Sequence, residues 1–166
     1  MRVWENGEWG ALQVVESPTV SLHILSGVLH YGQSLFEGLK AFHTKNGNVC
    51  LFRPHANAQR MAQGCWRLLM PEVPEDMFVD ACKEAVRRNV QFVPPYGSGG
   101  SLYVRPFIFG SGARLGLGPA PSFTFIVAVN PVGSYYSTGL CSVPAKVVEG
   151  FDRAAPLGVG NVKVGG

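Results

Sequence analysis

Residues 77–90, Met77-Phe-Val-Asp-Ala-Cys-Lys-Glu-Ala-Val-Arg-Arg-Asn-Val90, return an apolar pair every four positions: Met77/Phe78, Ala81/Cys82 and Ala85/Val86. That spacing is one face of an α-helix. Glu75 and Asp76 at its front and Arg87 and Arg88 at its back suit the helix dipole. Pro94-Pro95 and the Gly-rich stretch Tyr96–Gly100 close it. Upstream, Arg53-Pro54 opens a second predicted helix reaching Met70, with proline in the tolerated first turn. Outward from this pair lie apolar runs. Leu39–Phe42 and Val49–Phe52 flank Lys45-Asn-Gly-Asn48, the signal of a hairpin whose type I′ turn holds both central residues at positive φ. Leu102–Phe109 and Ser122–Val129 read as later strands around a Gly/Pro loop, Gly110–Pro121. Strands, two helices and strands again predict an α+β domain. Its expected extent is residues 1–132, followed by a linker at 133–138. Residues 139–166 would start a second domain, with 140–148 as its first strand.

The balance of 14 basic against 11 acidic residues leaves a charge of +3. It is too weak and scattered for nucleic acid or a membrane surface. Charged residues make up only 15% of the chain, against a usual ~25%, and none lies between Leu115 and Ala145. The solid apolar run there, Phe123–Val129, is far short of the ~20 residues of a membrane span. The expectation is that a partner subunit or further chain covers part of this surface. No targeting pattern opens the sequence, so the cytoplasm is the expected compartment, with the mitochondrion as alternative. Cys50, Cys65, Cys82 and Cys141 form no C-x-x-C pair and are expected as small core residues. The four histidines lack zinc-site spacing, and no metal is expected.

Two places could carry chemistry. Alternation along Leu102–Phe109 puts Tyr103, Arg105, Phe107 and Phe109 on one face and Leu102, Val104, Pro106 and Ile108 on the other. Arg105 among aromatics either pairs with an acid in the core or recognises a carboxylate or phosphate. In Gly158–Gly166, Lys163 is either a solvated lysine on a Gly-rich loop or an amine among apolar neighbours, desolvated and nucleophilic.

Four segments, in order and spacing, are similar to the branched-chain amino acid aminotransferases, fold-type-IV enzymes that use pyridoxal 5′-phosphate (PLP). They are His30-Tyr31-Gly32-Gln-Ser-Leu-Phe36-Glu37-Gly38-Leu-Lys40-Ala41, Leu51-Phe-Arg53-Pro54-His-Ala-Asn57-Ala-Gln-Arg60-Met61, Ser101-Leu-Tyr103-Val-Arg105-Pro106, and Arg153-Ala-Ala-Pro156 with Lys163-Val-Gly-Gly166. The resemblance implies the small domain of that fold, a mixed sheet with two helices, and the first strands of its large domain. Lys163 resembles the lysine that carries PLP and moves the substrate's α-proton. Arg60 resembles the phosphate clamp, and Arg153 a second cofactor-side arginine. Tyr31, Phe36, Tyr103, Arg105 and Tyr135 match positions lining the substrate pocket. The implied substrates are leucine, isoleucine or valine with 2-oxoglutarate, and the implied assembly is a homodimer that completes the pocket. Family members continue past Gly166 with most of the PLP-holding domain, so the chain by itself is expected to lack turnover. Two alternatives stand beside this reading: a fold-type-IV relative with another amino-donor preference, and a catalytically incomplete assembly or binding module.

Overall fold

The computed structural model describes residues 1–134, 136, 139 and 141–165. In chain order its elements are β1 (Arg2–Glu5), β2 (Glu8–Trp9), α1 (Gly27–Tyr31), β3 (Ser34–Phe36), β4 (Leu39–His43), β5 (Val49–Leu51), α2 (Pro54–Arg67), α3 (Glu75–Arg88), β6 (Ser101–Gly110) and β7 (Phe123–Val132). The strands form one sheet in the order β2-β1-β7-β6-β4-β5, with β3 also on β6. Every described pairing between these strands is antiparallel, where a mixed sheet was expected. Parallel neighbours need crossover connections, and antiparallel ones can be joined by turns as short as that between β4 and β5.

Alternation in β6 follows the expected faces through Ile108, but Phe109, expected with Tyr103, Arg105 and Phe107, is buried. Leu102, Val104, Pro106 and Ile108 are buried, and α2 and α3 cover that side with Met61, Cys65, Phe78, Cys82 and Val86. Phe78 is fully buried with its ring 6.1 Å from that of Phe125. The other side of β6 carries the exposed Arg105 between the half-buried Tyr103 and Phe107, and we call it the open face.

Pro106 shapes the edge beside it. Phe36 pairs with Phe107 and Leu39 with Val104, so β3 and β4 keep one register along β6. The ladder breaks between them at Glu37-Gly38. The Glu37 N–H donates to the Pro106 carbonyl at 2.7 Å, but proline has no N–H to return the bond.

Several expectations need correction. The helix from Pro54 stops at Arg67, short of Met70, and Leu69 has turned to φ +53°. At the β4–β5 hairpin only Gly47 has positive φ, and its N–H donates to Thr44. This is the three-residue loop closed by a left-handed glycine, rather than type I′. Strand β7 runs on through Pro131 to Val132. Because β1 covers only Phe123–Phe125, the outer edge of β7 is open at Pro131, where proline is tolerated. α1, with five residues, is too short for a periodic signal, and Gly32 at φ +61° caps it. Residues 141–148 are exposed and form no strand, because among the described residues no strand pairs with them. Cys65 and Cys82 are core residues as expected, whereas Cys50 and Cys141 are exposed. Among the described residues no helix is long and apolar enough to cross a membrane.

Candidate functional site

The edge of β3 positions the site. Residues 163–165 run along it through one isolated antiparallel bridge: the Phe36 N–H donates to the Lys163 carbonyl at 3.1 Å, and the Gly165 N–H donates to the Ser34 carbonyl at 3.0 Å. Leu35 faces Val164 in this pairing. Val162 and Val164 pack against the core. Gly64 of α2 makes room for them, since a Cβ there would sit 3.3 Å from Val162 Cγ1 and 3.1 Å from Leu35. With its two neighbours turned to the core, Lys163 is turned to the open face.

There Lys163 meets Phe36, its Nζ 4.3 Å from the ring centroid. Arg105 meets the same ring, with Cζ at 4.5 Å, and lies 5.1 Å from the Tyr103 ring centroid. The Arg105 Nε–H donates to Tyr103 Oη at 3.0 Å. Gly38 lets Tyr103 take this place, because a Cβ at Gly38 would stand 2.6 Å from Oη. Among the described residues neither Lys163 nor Arg105 has an ion-pair partner. Two cations gathered on aromatic faces without a carboxylate suit an anionic ligand that also has an apolar part. Among the described residues the core ion pair considered for Arg105 does not form: the buried acid exists, but its partner is Arg60.

That acid is Glu37, fully buried on the core face. Arg60 reaches it from α2 with Nε on Oε1 and Nη2 on Oε2, both at 2.6 Å. Asn57 Nδ2 donates to Oε2 at 2.8 Å, and the Gly38 N–H does so at 3.3 Å. The hydrogen bond to Glu37 pushes the Arg60 pKa further up, so the guanidinium stays charged. Sequence reasoning gave Glu37 no role. The available signal was parity: one acid between Leu35 and Leu39 on a strand face that is otherwise core.

Of the candidate residues, Phe36, Tyr103, Arg105 and Lys163 come together on the open face, and Arg60 lies on the other side of β3. Tyr31 does not join them. Its hydroxyl donates to the Leu115 carbonyl, and it lines a groove of about 430 Å³ with Gly27, Leu68, Leu117 and Val159. Arg153 is exposed in the irregular stretch before Lys163 and makes no described contact with the cluster. Tyr135 lies outside the described residues. Among the described residues no three metal-binding side chains stand together.

No protein-family model matches the chain. The branched-chain-amino-acid aminotransferase of Haemophilus influenzae is 49% identical over 164 residues, which are 98% of this chain and 47% of that protein. The chain thus spans about half the length of the curated relatives it matches. The crystal structure of the Escherichia coli branched-chain amino acid aminotransferase superposes with a TM-score of 0.61 at 28% identity, covering 81% of this chain and 40% of that one. A further crystal structure, of a bacterial branched-chain amino acid aminotransferase with pyridoxamine 5′-phosphate, gives a TM-score of 0.59 at 28% identity, covering 81% and 40%.

Proposed function

We infer that this chain, a member of the branched-chain amino acid aminotransferase family, serves PLP-dependent transfer of the amino group from leucine, isoleucine or valine to 2-oxoglutarate, giving the 2-oxo acids and glutamate. The observation that carries the reading is the Lys163 amine, 4.3 Å from the Phe36 centroid beside Arg105, with no ion-pair partner among the described residues. The donor set has the chemistry to take a group bearing an aldehyde and a phosphate: on the open face an amine without a carboxylate partner among the described residues and, on Arg60 across β3, N–H groups not taken by Glu37. When bound, PLP supplies the electron sink that lets an α-proton leave.

The chain's own residues do the rest. Lys163 Nζ would hold the cofactor, accept the proton from the substrate Cα and return it on the cofactor side. Arg60 would bind the phosphate. The Arg105 guanidinium would take the side-chain carboxylate of glutamate or 2-oxoglutarate, while Phe36 and Tyr103 offer apolar walls to an aliphatic side chain. Arg153, Tyr31 and Tyr135 are assigned to the cofactor side and the substrate pocket on the resemblance alone. On the same ground we propose a homodimer in the cytoplasm, and a division into a small domain (1–132), a linker (133–138) and the start of a PLP-binding domain (139–166).

The test is chemical trapping. The chain is incubated with PLP, reduced with borohydride and mapped by peptide mass. A pyridoxyl group on Lys163 supports the assignment; one on Lys40 or Lys146 instead overturns it.

A further inference from the structure

We propose that Glu37 is a positioning residue of the phosphate site: it grips Arg60 side-on and so keeps the end-on N–H groups of the guanidinium presented to the cofactor phosphate. The proposal rests on the reading of Arg60 as the phosphate ligand and adds what fixes that arginine in place.

The argument is a count of donors. A guanidinium has five N–H groups, one on Nε and two on each terminal nitrogen. Glu37 takes Nε and one N–H of Nη2, both at 2.6 Å. Three remain, two on Nη1 and one on Nη2. Together they form the end-on fork that matches two phosphate oxygens. Exposure agrees with this division: the Glu37 side chain is 0% exposed and that of Arg60 52%. One edge of the guanidinium closes over the buried carboxylate and the other stays accessible.

Glu37 cannot easily turn away. Asn57 Nδ2, one helical turn before Arg60, donates to Oε2 at 2.8 Å and also reaches the Gly38 carbonyl at 3.4 Å. The Gly38 N–H adds a further donor to Oε2. The carboxylate is thus fixed by its own strand and by the helix that carries Arg60. Leu35 and Leu39 occupy the neighbouring positions of this strand face. An apolar residue at 37 would match them, but would leave the Arg60 side chain without an anchor.

The test sets two opposite signs against each other. A carboxylate that is merely nearby repels phosphate, so neutralising it strengthens binding. A carboxylate that positions Arg60 gives the reverse. Glu37→Gln places an amide donor where the arginine donors need an acceptor. Affinities of the full chain for PLP and for pyridoxal, which lacks the phosphate, are measured for wild type, Glu37→Gln and Arg60→Met. The expected result is a loss of about tenfold for PLP with Glu37→Gln, the size of one charge-assisted hydrogen bond, with pyridoxal unchanged. Unchanged or tighter PLP binding, or equal losses for PLP and pyridoxal, overturns the proposal. If Arg60→Met loses PLP selectively while Glu37→Gln does not, the proposal fails and the phosphate reading stands. If Arg60→Met has no effect, both fall.

A wild-type measurement covers the case in which Glu37→Gln does not fold. Arginine side-chain NMR of the chain is followed as inorganic phosphate is added. The expected result is that the Nη1 signals move while the Arg60 Nε–H signal keeps its position and its slow exchange. A moving Nε–H signal means that phosphate displaces Glu37, and overturns the proposal.

Discussion

The Phe36 N–H donates to the Lys163 carbonyl at 3.1 Å, and the same two residues meet again through their side chains, with Nζ 4.3 Å from the ring centroid. The backbone bond sets how residues 163–165 register on β3, and the ring then receives the amine. Phe36→Leu keeps the strand and the backbone bond but removes the π-face. A cation–π contact at an accessible site is worth about 0.5–1 kcal/mol. PLP affinity is therefore expected to fall about two- to fivefold, with melting temperature little changed. Titration of PLP by absorbance checks this, and an unchanged affinity shows that the ring does not hold the amine.

Arg105→Met is expected to weaken 2-oxoglutarate much more than 4-methyl-2-oxopentanoate, because only the former has a second carboxylate. Losing a charge-assisted hydrogen bond costs about 1.5–3 kcal/mol, about 10- to 150-fold. Equal losses for the two 2-oxo acids in binding titrations of the PLP-loaded protein would make Arg105 a structural residue.

Gly38→Ala is expected to act at a distance through Tyr103. The new Cβ would lie 2.6 Å from Tyr103 Oη and 3.2 Å from Cζ, so the phenol must swing aside and release its 3.0 Å bond from Arg105 Nε. The moving atoms are the far end of a side chain, which makes the fold's loss small, about 1 kcal/mol. Binding of 2-oxoglutarate should drop, and Tyr103→Phe should reproduce the part due to the lost hydrogen bond. A crystal structure of Gly38→Ala with Tyr103 unmoved refutes this account.

The thiols supply a pH dependence. Burial pushes Cys65 and Cys82 up to about 12 from an ordinary 9.0. In the unfolded chain they ionise near the ordinary value, so the unfolded state binds fewer protons as the pH passes it. Their contribution to stability is therefore complete below the unfolded value, and declines between it and the folded one. Urea midpoints should fall between about pH 8 and about pH 10.5, and fall less in Cys82→Ala. In the folded protein at the lower pH, iodoacetamide should label the exposed Cys50 and Cys141 and spare Cys65 and Cys82. Labelling of Cys82 without denaturant contradicts the burial argument.

What the sequence determined by itself is what repeats along the backbone. The four-residue spacing from Met77 to Val86 fixes the buried face of α3, and the two-residue alternation from Leu102 to Ile108 sorts core from open face with Arg105 on the latter. These follow from 3.6 residues per helical turn and two per strand repeat, properties that each segment has alone. The four family segments add the likeness of the whole chain, including Lys163. The tertiary structure decided the partners. Among the candidate arginines, Arg60 and Arg105 could each have met the one acid on this strand's core face, Glu37; only the register of β3 on β6 and the docking of α2 assign that acid to Arg60. It likewise brought Lys163 and Arg105 to one ring while leaving Tyr31 in a separate groove. The physical reason is that a side-chain pair between distant segments depends on strand register and helix placement. Both are set by how all the apolar faces close on one another, which no local period records.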